Sequence, residues 1–116
     1  MASLSRRKAP WGSWRVIFRG NDFQVKRLSI SPGRRFSLQY HRYRSEHWVV
    51  VSGTGKATLG NQSKIVSSGR QLFVPVRAKH RLQNTGRVPL VVIEVQQGSY
   101  LGEDDIVRLQ DDYHRT

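Results

Sequence analysis

The chain has no cysteine and one methionine among its 116 residues. The absence of cysteine excludes disulfides and thiolate-bound metal sites. No apolar stretch approaches the roughly 20 residues that a membrane helix requires, and the longest aliphatic runs, 48–51 and 90–93, are only as long as a strand. The basic N-terminus lacks the apolar segment of a secretory signal. We therefore expect a cytoplasmic protein with no membrane partner.

Acidic residues are scarce, with 8 Asp and Glu against 20 Lys and Arg, which leaves a net charge of +12. Such a charge favours anionic partners, either nucleic acids or phosphorylated small molecules. The basic residues are spread along the chain, with no helix-length basic stripe and no zinc-finger or aromatic RNA-binding motif. We expect no specific nucleic-acid partner.

Helical periodicity is absent before residue 100, since no stretch keeps an apolar 3.6-residue repeat for three turns. Short apolar or alternating runs separated by Gly, Pro, Asn and Ser instead predict nine strands, at 14–19, 23–30, 35–43, 46–52, 56–59, 62–66, 71–74, 80–84 and 90–96. This pattern indicates an all-β sandwich, jelly roll or small barrel. We expect one domain over 10–116, preceded by a basic extension over 1–9.

The segment 102–116 is an acidic C-terminal tail that carries five of the eight acidic residues. An acidic tail on a basic body can dock back onto its own domain or meet a second subunit. A solvated chain end is the third interpretation.

Two spaced motifs carry candidate metal ligands. The first reads Gly33-x5-Gln39-x-His41-x4-Glu46-x6-Gly53, and the second reads Gly69-x5-Pro75-x4-His80-x3-Asn84. Together they supply Gln39, His41, Glu46 and His80 from separate strands, as a metal site requires. Nitrogen and oxygen ligands in this mixture suit Zn, Mn, Fe, Co or Ni better than Ca or Mg.

Strand alternation gives these ligands a common direction. Gln39 and His41 are two residues apart and should face the same side of the strand. By the same rule Phe36, Leu38 and Tyr40 should face the other way, into a packed layer. His47 should point away from the side that Glu46 faces.

Both motifs resemble those of the cupin superfamily, with Gln39 where the first family histidine is usual and Arg77 where a glycine is usual. Longer strings, "KRLSISPGRRFSLQYHRYRSEHWVVVSGTG" and "YLGEDDIVR", resemble the C-terminal domain of type II phosphomannose isomerases. The resemblance implies a cupin double-stranded β-helix, or jelly-roll barrel. In bifunctional members this domain follows a mannose-1-phosphate guanylyltransferase domain, which 116 residues cannot hold, so we expect a stand-alone isomerase-type cupin.

The resemblance further implies metal-dependent interconversion of mannose 6-phosphate and fructose 6-phosphate through a cis-enediol. Candidates for the proton-transferring base are Glu46, His47 and Lys79. For the substrate phosphate we favour Arg44 and Arg81, with Arg35 and Lys79 as lesser candidates. Tyr43, where the family often has histidine, shares a predicted face with His41 and either contacts the sugar or packs.

Two other functions stay open at this stage. The first is a non-catalytic cupin that binds a phosphosugar or nucleotide-sugar as a sensor or regulatory subunit. The second is a different cupin enzyme, such as an epimerase or a dioxygenase, although Gln39 argues against an iron dioxygenase. Jelly rolls with exposed edge strands often pair them, so we expect a homodimer.

Overall fold

The computed structural model describes residues 6–115. This part of the chain contains eleven β-strands: Arg7–Ala9 (β1), Gly12–Arg19 (β2), Phe23–Ile30 (β3), Leu38–Tyr40 (β4), Arg44–Ser52 (β5), Thr54–Leu59 (β6), Gln62–Ser67 (β7), Gln71–Val74 (β8), His80–Asn84 (β9), Leu90–Gly98 (β10) and Val107–Gln110 (β11). Within the described residues no helix is long and apolar enough to cross a membrane.

The strands form two antiparallel sheets. One has the order β1-β2-β3-β10-β5-β8, and the other has the order β11-β4-β9-β6-β7. The predicted all-β class is confirmed, and each of the nine predicted strands is present, three of them with the predicted bounds (23–30, 71–74 and 80–84) and six with shifted bounds. The prediction missed β1 and β11. These strands span only three and four residues, too short for alternation to stand out.

Two sequence predictions need correction. The predicted strand 35–43 is reduced to β4, with one isolated bridge between Arg35 and Gln83. Phe36 lies outside the regular ladder, so alternation does not govern it, and it lines the same cavity as Gln39. Residues 7–9, assigned to an extension outside the domain, pair with β2 as part of the larger sheet. The rest of that extension, residues 1–5, lies outside the described residues.

The interior of the fold is divided into an apolar and a polar layer along the same three strands. Inward-facing residues at one end of β3, β5 and β10 are hydrophobic and form the apolar layer: Leu28, Ile30, Trp48, Val50, Leu90 and Val92. At the other end the inward positions are polar yet buried, and they form the polar layer: Gln24, Lys26, Arg44, Glu46, Glu94 and Gln96. Register aligns the polar rows, since Gln96 is opposite both Glu46 and Gln24.

The acidic tail docks back onto the domain, which was one of the three interpretations of the sequence. β11 pairs with β4. The Asp105 carboxylate accepts hydrogen bonds from the backbone N–H groups of Arg42 and Tyr43, at 2.9 and 3.1 Å. Asp112 forms an ion pair with Arg35 at 2.7 Å. The tail therefore forms one edge of the smaller sheet.

The loop between β8 and β9 is tied to the ligand region through Arg77. The backbone N–H of Arg77 donates to the carbonyl of His41 at 2.8 Å. Arg77 has a φ of 69°, the left-handed conformation that favours glycine. The second motif usually has glycine at this position. Because this chain has Arg77 there, a side chain occupies a backbone conformation that disfavours one.

Replacing Arg77 with glycine should raise the free energy of unfolding by about 0.5–1 kcal/mol, because the left-handed conformation costs a residue with a Cβ about 1–2 kcal/mol and glycine loses part of that gain in chain entropy. Urea denaturation measures the change. Arg87→Gly is the matched control, since Arg87 is exposed and lacks a positive φ. If Arg77→Gly lowers the free energy of unfolding as much as Arg87→Gly does, the backbone at Arg77 is not strained.

Candidate metal centre

Three of the four predicted metal ligands converge in the interior. His41 follows β4, Glu46 lies in β5 and His80 opens β9. His41 Nε2 lies 3.2 Å from Glu46 Oε2, and His80 Nε2 lies 3.7 Å from Glu46 Oε1. One ligand atom from each residue falls within 4.8 Å of the others. Ligands of one tetrahedral zinc ion lie about 3–3.5 Å apart, so these three can hold a metal with a small inward shift.

Hydrogen bonds orient both imidazoles toward Glu46. The Nδ1–H of His41 donates to the carbonyl of Asp105 at 2.6 Å, and that of His80 donates to the carbonyl of Ala78 at 2.9 Å. With the proton on Nδ1, each Nε2 carries a lone pair directed at the centre of the group. Metal-binding histidines are typically held in this way.

The lone pair of His80 has no hydrogen-bond partner among residues 6–115. Its Nε2 is buried and makes no hydrogen bond within the described residues. An unsatisfied buried polar atom costs about 1–3 kcal/mol. The His80 ring is fixed between Phe36 and Trp48, whose ring centroids lie 6.3 and 5.5 Å away. A metal ion satisfies this atom, so the residues fit the ion that the spacing predicted.

The protonation states suit cation binding. Burial, with the charges of Arg44 and His80, lowers the pKa of His41 to about 4, and burial also lowers the pKa of His80. Burial alone would raise the pKa of Glu46, but His80 and His41, which are protonated only at acid pH, together with Arg44 outweigh burial and lower that pKa below its usual range. At neutral pH the site therefore offers two neutral imidazoles and one carboxylate.

Gln39 sits beside this group with its amide nitrogen inward. It pairs with His80 across the β4–β9 ladder, and its Nε2 lies 3.5 Å from His41 Nε2. Its Oε1 instead accepts a hydrogen bond from Ser37 at 2.7 Å. Only the oxygen of an amide ligates metals, so Gln39 becomes a fourth ligand only if its amide rotates by half a turn.

Arg44 competes for the same atoms. Its Nε donates to Glu46 Oε2 at 3.0 Å, and its Nη2 lies 3.3 Å from His41 Nε2. One imidazole lone pair serves one partner, so a metal bound by His41 would replace this contact. Arg44 Nη1 is buried and has no partner among the described residues. The guanidinium thus has a donor to spare inside the site.

His41 and Glu46 line a cavity of about 220 Å³. Its wall combines four cationic side chains, three carboxyl side chains and three aromatic rings: Lys26, Arg44, Arg108, Arg115, Glu46, Glu94, Glu103, Trp11, Trp14 and Phe36. The composition suits a small, polar, anionic ligand.

Two predicted phosphate contacts have other partners. Arg81 donates to the carbonyl of Phe36 at 2.9 Å and to Gln110, and therefore anchors β11 outside the cavity. Arg35 is held by Asp112. Alternation explains Arg81, because the residue after His80 faces the opposite side of the same strand. The docking of the tail explains Arg35. Neither arginine lines the cavity.

Three further predicted residues also lie outside the cavity. Tyr43 is 51% exposed, with its ring against Tyr100. His47 is exposed on the outer face of β5 and contacts the ring of Phe73, 4.6 Å between centroids. Lys79 is half-buried in the loop before β9 and does not line the cavity. The chain bends between β4 and β5, so Tyr43 does not share a face with His41 as predicted.

Sequence reasoning missed five charged residues that line the cavity: Lys26, Glu94, Glu103, Arg108 and Arg115. Lys26 has the same parity as Leu28 in β3, and Glu94 has the same parity as Val92 in β10, so alternation alone marks both as inward-facing. Arg108 lies opposite Gln39 in the β4–β11 pair. No periodic signal marks Arg108 or Arg115, because their position depends on the docked tail.

Comparisons with known proteins agree with this architecture. A Klebsiella pneumoniae protein with a double-stranded β-helix domain superposes with a TM-score of 0.71 at 21% identity, over 81% of this chain and 80% of that one. This likeness bears on the fold and confirms the predicted double-stranded β-helix.

Sequence relatives are longer proteins. The xanthan biosynthesis protein XanB of Xanthomonas campestris is 50% identical over 107 residues, 92% of this chain and 23% of that protein. A mannose-1-phosphate guanylyltransferase of Klebsiella pneumoniae is 45% identical over 106 residues, 91% of this chain and 22% of that protein. The chain thus spans less than a quarter of these relatives.

The comparison with protein families covers almost the whole chain. It matches residues 3–111, which include both spaced motifs, the candidate ligands His41, Glu46 and His80, and β11. The chain belongs to the mannose-6-phosphate isomerase C-terminal family.

Proposed function

We propose that this chain is a metal-dependent aldose–ketose isomerase that interconverts mannose 6-phosphate and fructose 6-phosphate. The observation that carries the proposal is the unpartnered Nε2 of His80 beside His41 and Glu46, next to a cavity walled by cations. Family membership supports the substrate class. The cavity volume fits one small sugar better than a polymer.

His41, Glu46 and His80 would hold the ion, with Gln39 available if its amide turns. Bound there, a divalent metal such as Zn, Mn, Fe, Co or Ni would supply electrophilic stabilisation of negative charge developing on the sugar oxygens. The rings of Trp11, Trp14 and Phe36 line the same cavity. The chain itself positions the sugar through the cationic wall.

Arg44 and Arg108 are the best-placed partners for the phosphate. Arg44 Nη1 and Arg108 Nε are both buried and unpartnered within the described residues. Arg115 also lines the cavity, where Asp111 holds it at 2.9 Å. Burial and the charge of Arg115 lower the pKa of Arg108. An anion placed between these groups relieves both the unpaired donors and the like-charge repulsion.

A non-catalytic phosphosugar-binding cupin is the second candidate. One observation favours it: Arg44 already donates to Glu46 and to His41 Nε2, the atoms that a metal would take. In that reading the guanidinium stands in for the cation, and the cavity binds sugar phosphates without turnover. Metal binding together with activity distinguishes the two.

The metal requirement gives the first test. Wild-type protein loaded with each divalent metal should isomerise mannose 6-phosphate, whereas His80→Ala and His41→Ala should each lower turnover more than about 100-fold, because removing a ligand empties the site. A coupled assay measures activity and plasma emission spectrometry measures metal. His47→Ala, on the outer face, should keep both. A metal-loaded wild type that binds sugar phosphate without turnover would select the non-catalytic candidate.

The phosphate contact gives a second test. Arg108→Gln should raise KM for mannose 6-phosphate, and the inhibition constant of inorganic phosphate, by about 10-fold or more, since a charge-assisted hydrogen bond contributes about 1.5–3 kcal/mol. Turnover at saturation should change little. Arg15→Gln, exposed on β2, is the matched control. Unchanged KM in Arg108→Gln would remove this arginine from the phosphate site.

A homodimer is also proposed, and the outer face of the larger sheet supports it. Val49, Val51 and Phe73 are 42%, 48% and 47% exposed on adjoining strands β5 and β8. A second copy covering this face would bury them. Sedimentation velocity should show a dimer that Val49→Lys shifts toward monomer, whereas Ile65→Lys on β7 should not. A monomeric wild type would contradict the pairing. The cytoplasmic location stays a prediction.

A further inference from the structure

Glu94 is a buried carboxyl group that belongs neither to the candidate metal ligands nor to the apolar layer. It is 4% exposed and lines the cavity together with His41 and Glu46. Register places it directly opposite Trp48 on one neighbouring strand and Lys26 on the other. Glu46 is opposite Gln96, so Glu94 is its diagonal neighbour, a relation that spans about 7 Å between backbones.

Hydrogen bonds fix one oxygen of Glu94 and leave the other free. Gln96 Nε2 donates to Glu94 Oε1. Gln24 Nε2 in turn donates to Gln96 Oε1 at 2.6 Å and to the carbonyl of Leu101 at 3.3 Å. This chain of amides holds the carboxyl group from the sheet side. Among the described residues none donates to Oε2, which leaves that oxygen available to a molecule in the cavity.

No ion pair accounts for the burial of this group. Its nearest cationic neighbour across the ladder, Lys26, pairs instead with Glu103 and lies 4.2 Å from the ring centroid of Trp14. A buried carboxyl group without an ion pair is costly. Burial, followed by the charge of Glu46, raises the pKa of Glu94 to about 8, while Lys26 and Arg44 oppose the rise. Such a group exchanges a proton near neutral pH more readily than an ordinary glutamate.

We propose that Glu94 is the catalytic residue that moves the proton between C1 and C2 of the sugar, a role for which sequence reasoning offered Glu46, His47 and Lys79. The inference rests on the proposed isomerase function. Glu46 is occupied by Arg44 and Trp48, and the other two lie outside the cavity. Among the described residues, Glu94 is the one cavity carboxyl group that combines burial with an oxygen lacking a hydrogen-bond partner.

The transfer balances without any other reagent. The ionised Glu94 Oε2 takes the proton from C2 of the open-chain aldose. The electrons of the broken C2–H bond form the C1=C2 double bond, and the π electrons of the C1 carbonyl move to O1. The proton of the C2 hydroxyl then passes to O1 as C2=O2 forms. The C1=C2 electrons take the proton back from Glu94 at C1, which gives the ketose and restores the carboxylate.

Glu94→Gln tests this role with little change of shape, because the amide oxygen can still accept from Gln96. We expect turnover to fall about 100-fold or more, as for loss of a general base, with KM, metal content and melting temperature near those of the wild type. Whenever protonated Glu94 exchanges with solvent before the proton returns, deuterium from D₂O enters the hexose phosphates; this incorporation, followed by NMR, should be lost in the variant. Glu94→Asp should restore part of both.

The matched control is Asp104→Asn, an acid-to-amide change in the exposed tail, where turnover should stay unchanged. An active wild type whose Glu94→Gln variant keeps more than a third of its turnover would overturn the role of Glu94 and leave the isomerase intact. A Glu94→Gln variant that loses metal or melts early would also overturn it. A metal-loaded wild type without turnover would instead overturn the proposed function, and this role with it.

Discussion

The carboxylate of Glu46 is the interaction on which the rest of the site depends. It is buried, and burying a carboxylate is costly unless its oxygens are paired. Trp48 Nε1 and Arg44 Nε each donate to it at 3.0 Å, while His41 and His80 turn their lone pairs toward it. Two imidazole lone pairs facing a carboxylate attract a cation. The arrangement is self-consistent only when positive charge occupies its centre, either a metal or the Arg44 guanidinium.

The inward-facing residues of β3, β5 and β10 hold Glu46 in position. On β3 and β10 the inward positions change from apolar to polar at the paired residues Lys26 and Glu94, and on β5 the change comes one inward position later, between Trp48 and Glu46. The apolar layer supplies the hydrophobic burial that stabilises the fold, and its Trp48 also donates to Glu46. The polar layer is thereby held in a rigid frame, as a site with fixed geometry requires.

Much of the fold and of the candidate metal site could be predicted from the sequence. Local alternation and turn residues identified nine strands, and the motif spacing identified His41, Glu46 and His80, because both signals are local. Phe36 and Tyr43 were misplaced since the ladder around β4 is broken, which alternation cannot reveal. Arg81 lies outside the cavity because it faces the opposite side of β9 from His80. Arg35 lies outside it because it pairs with Asp112 of the docked tail. Strand alternation places Lys26 and Glu94 on the inward face. A charged residue on a strand usually indicates a solvent-exposed position, so neither was predicted to lie inside.

Anomalous X-ray scattering from crystals grown with the bound metal tests whether His41, Glu46 and His80 hold one ion. The account predicts a single strong peak within about 2.0–2.2 Å of His41 Nε2, a Glu46 oxygen and His80 Nε2, with Arg44 no longer in contact with His41. A peak at other residues, or full occupancy of Arg44 on His41 with no metal at saturating concentration, would contradict it.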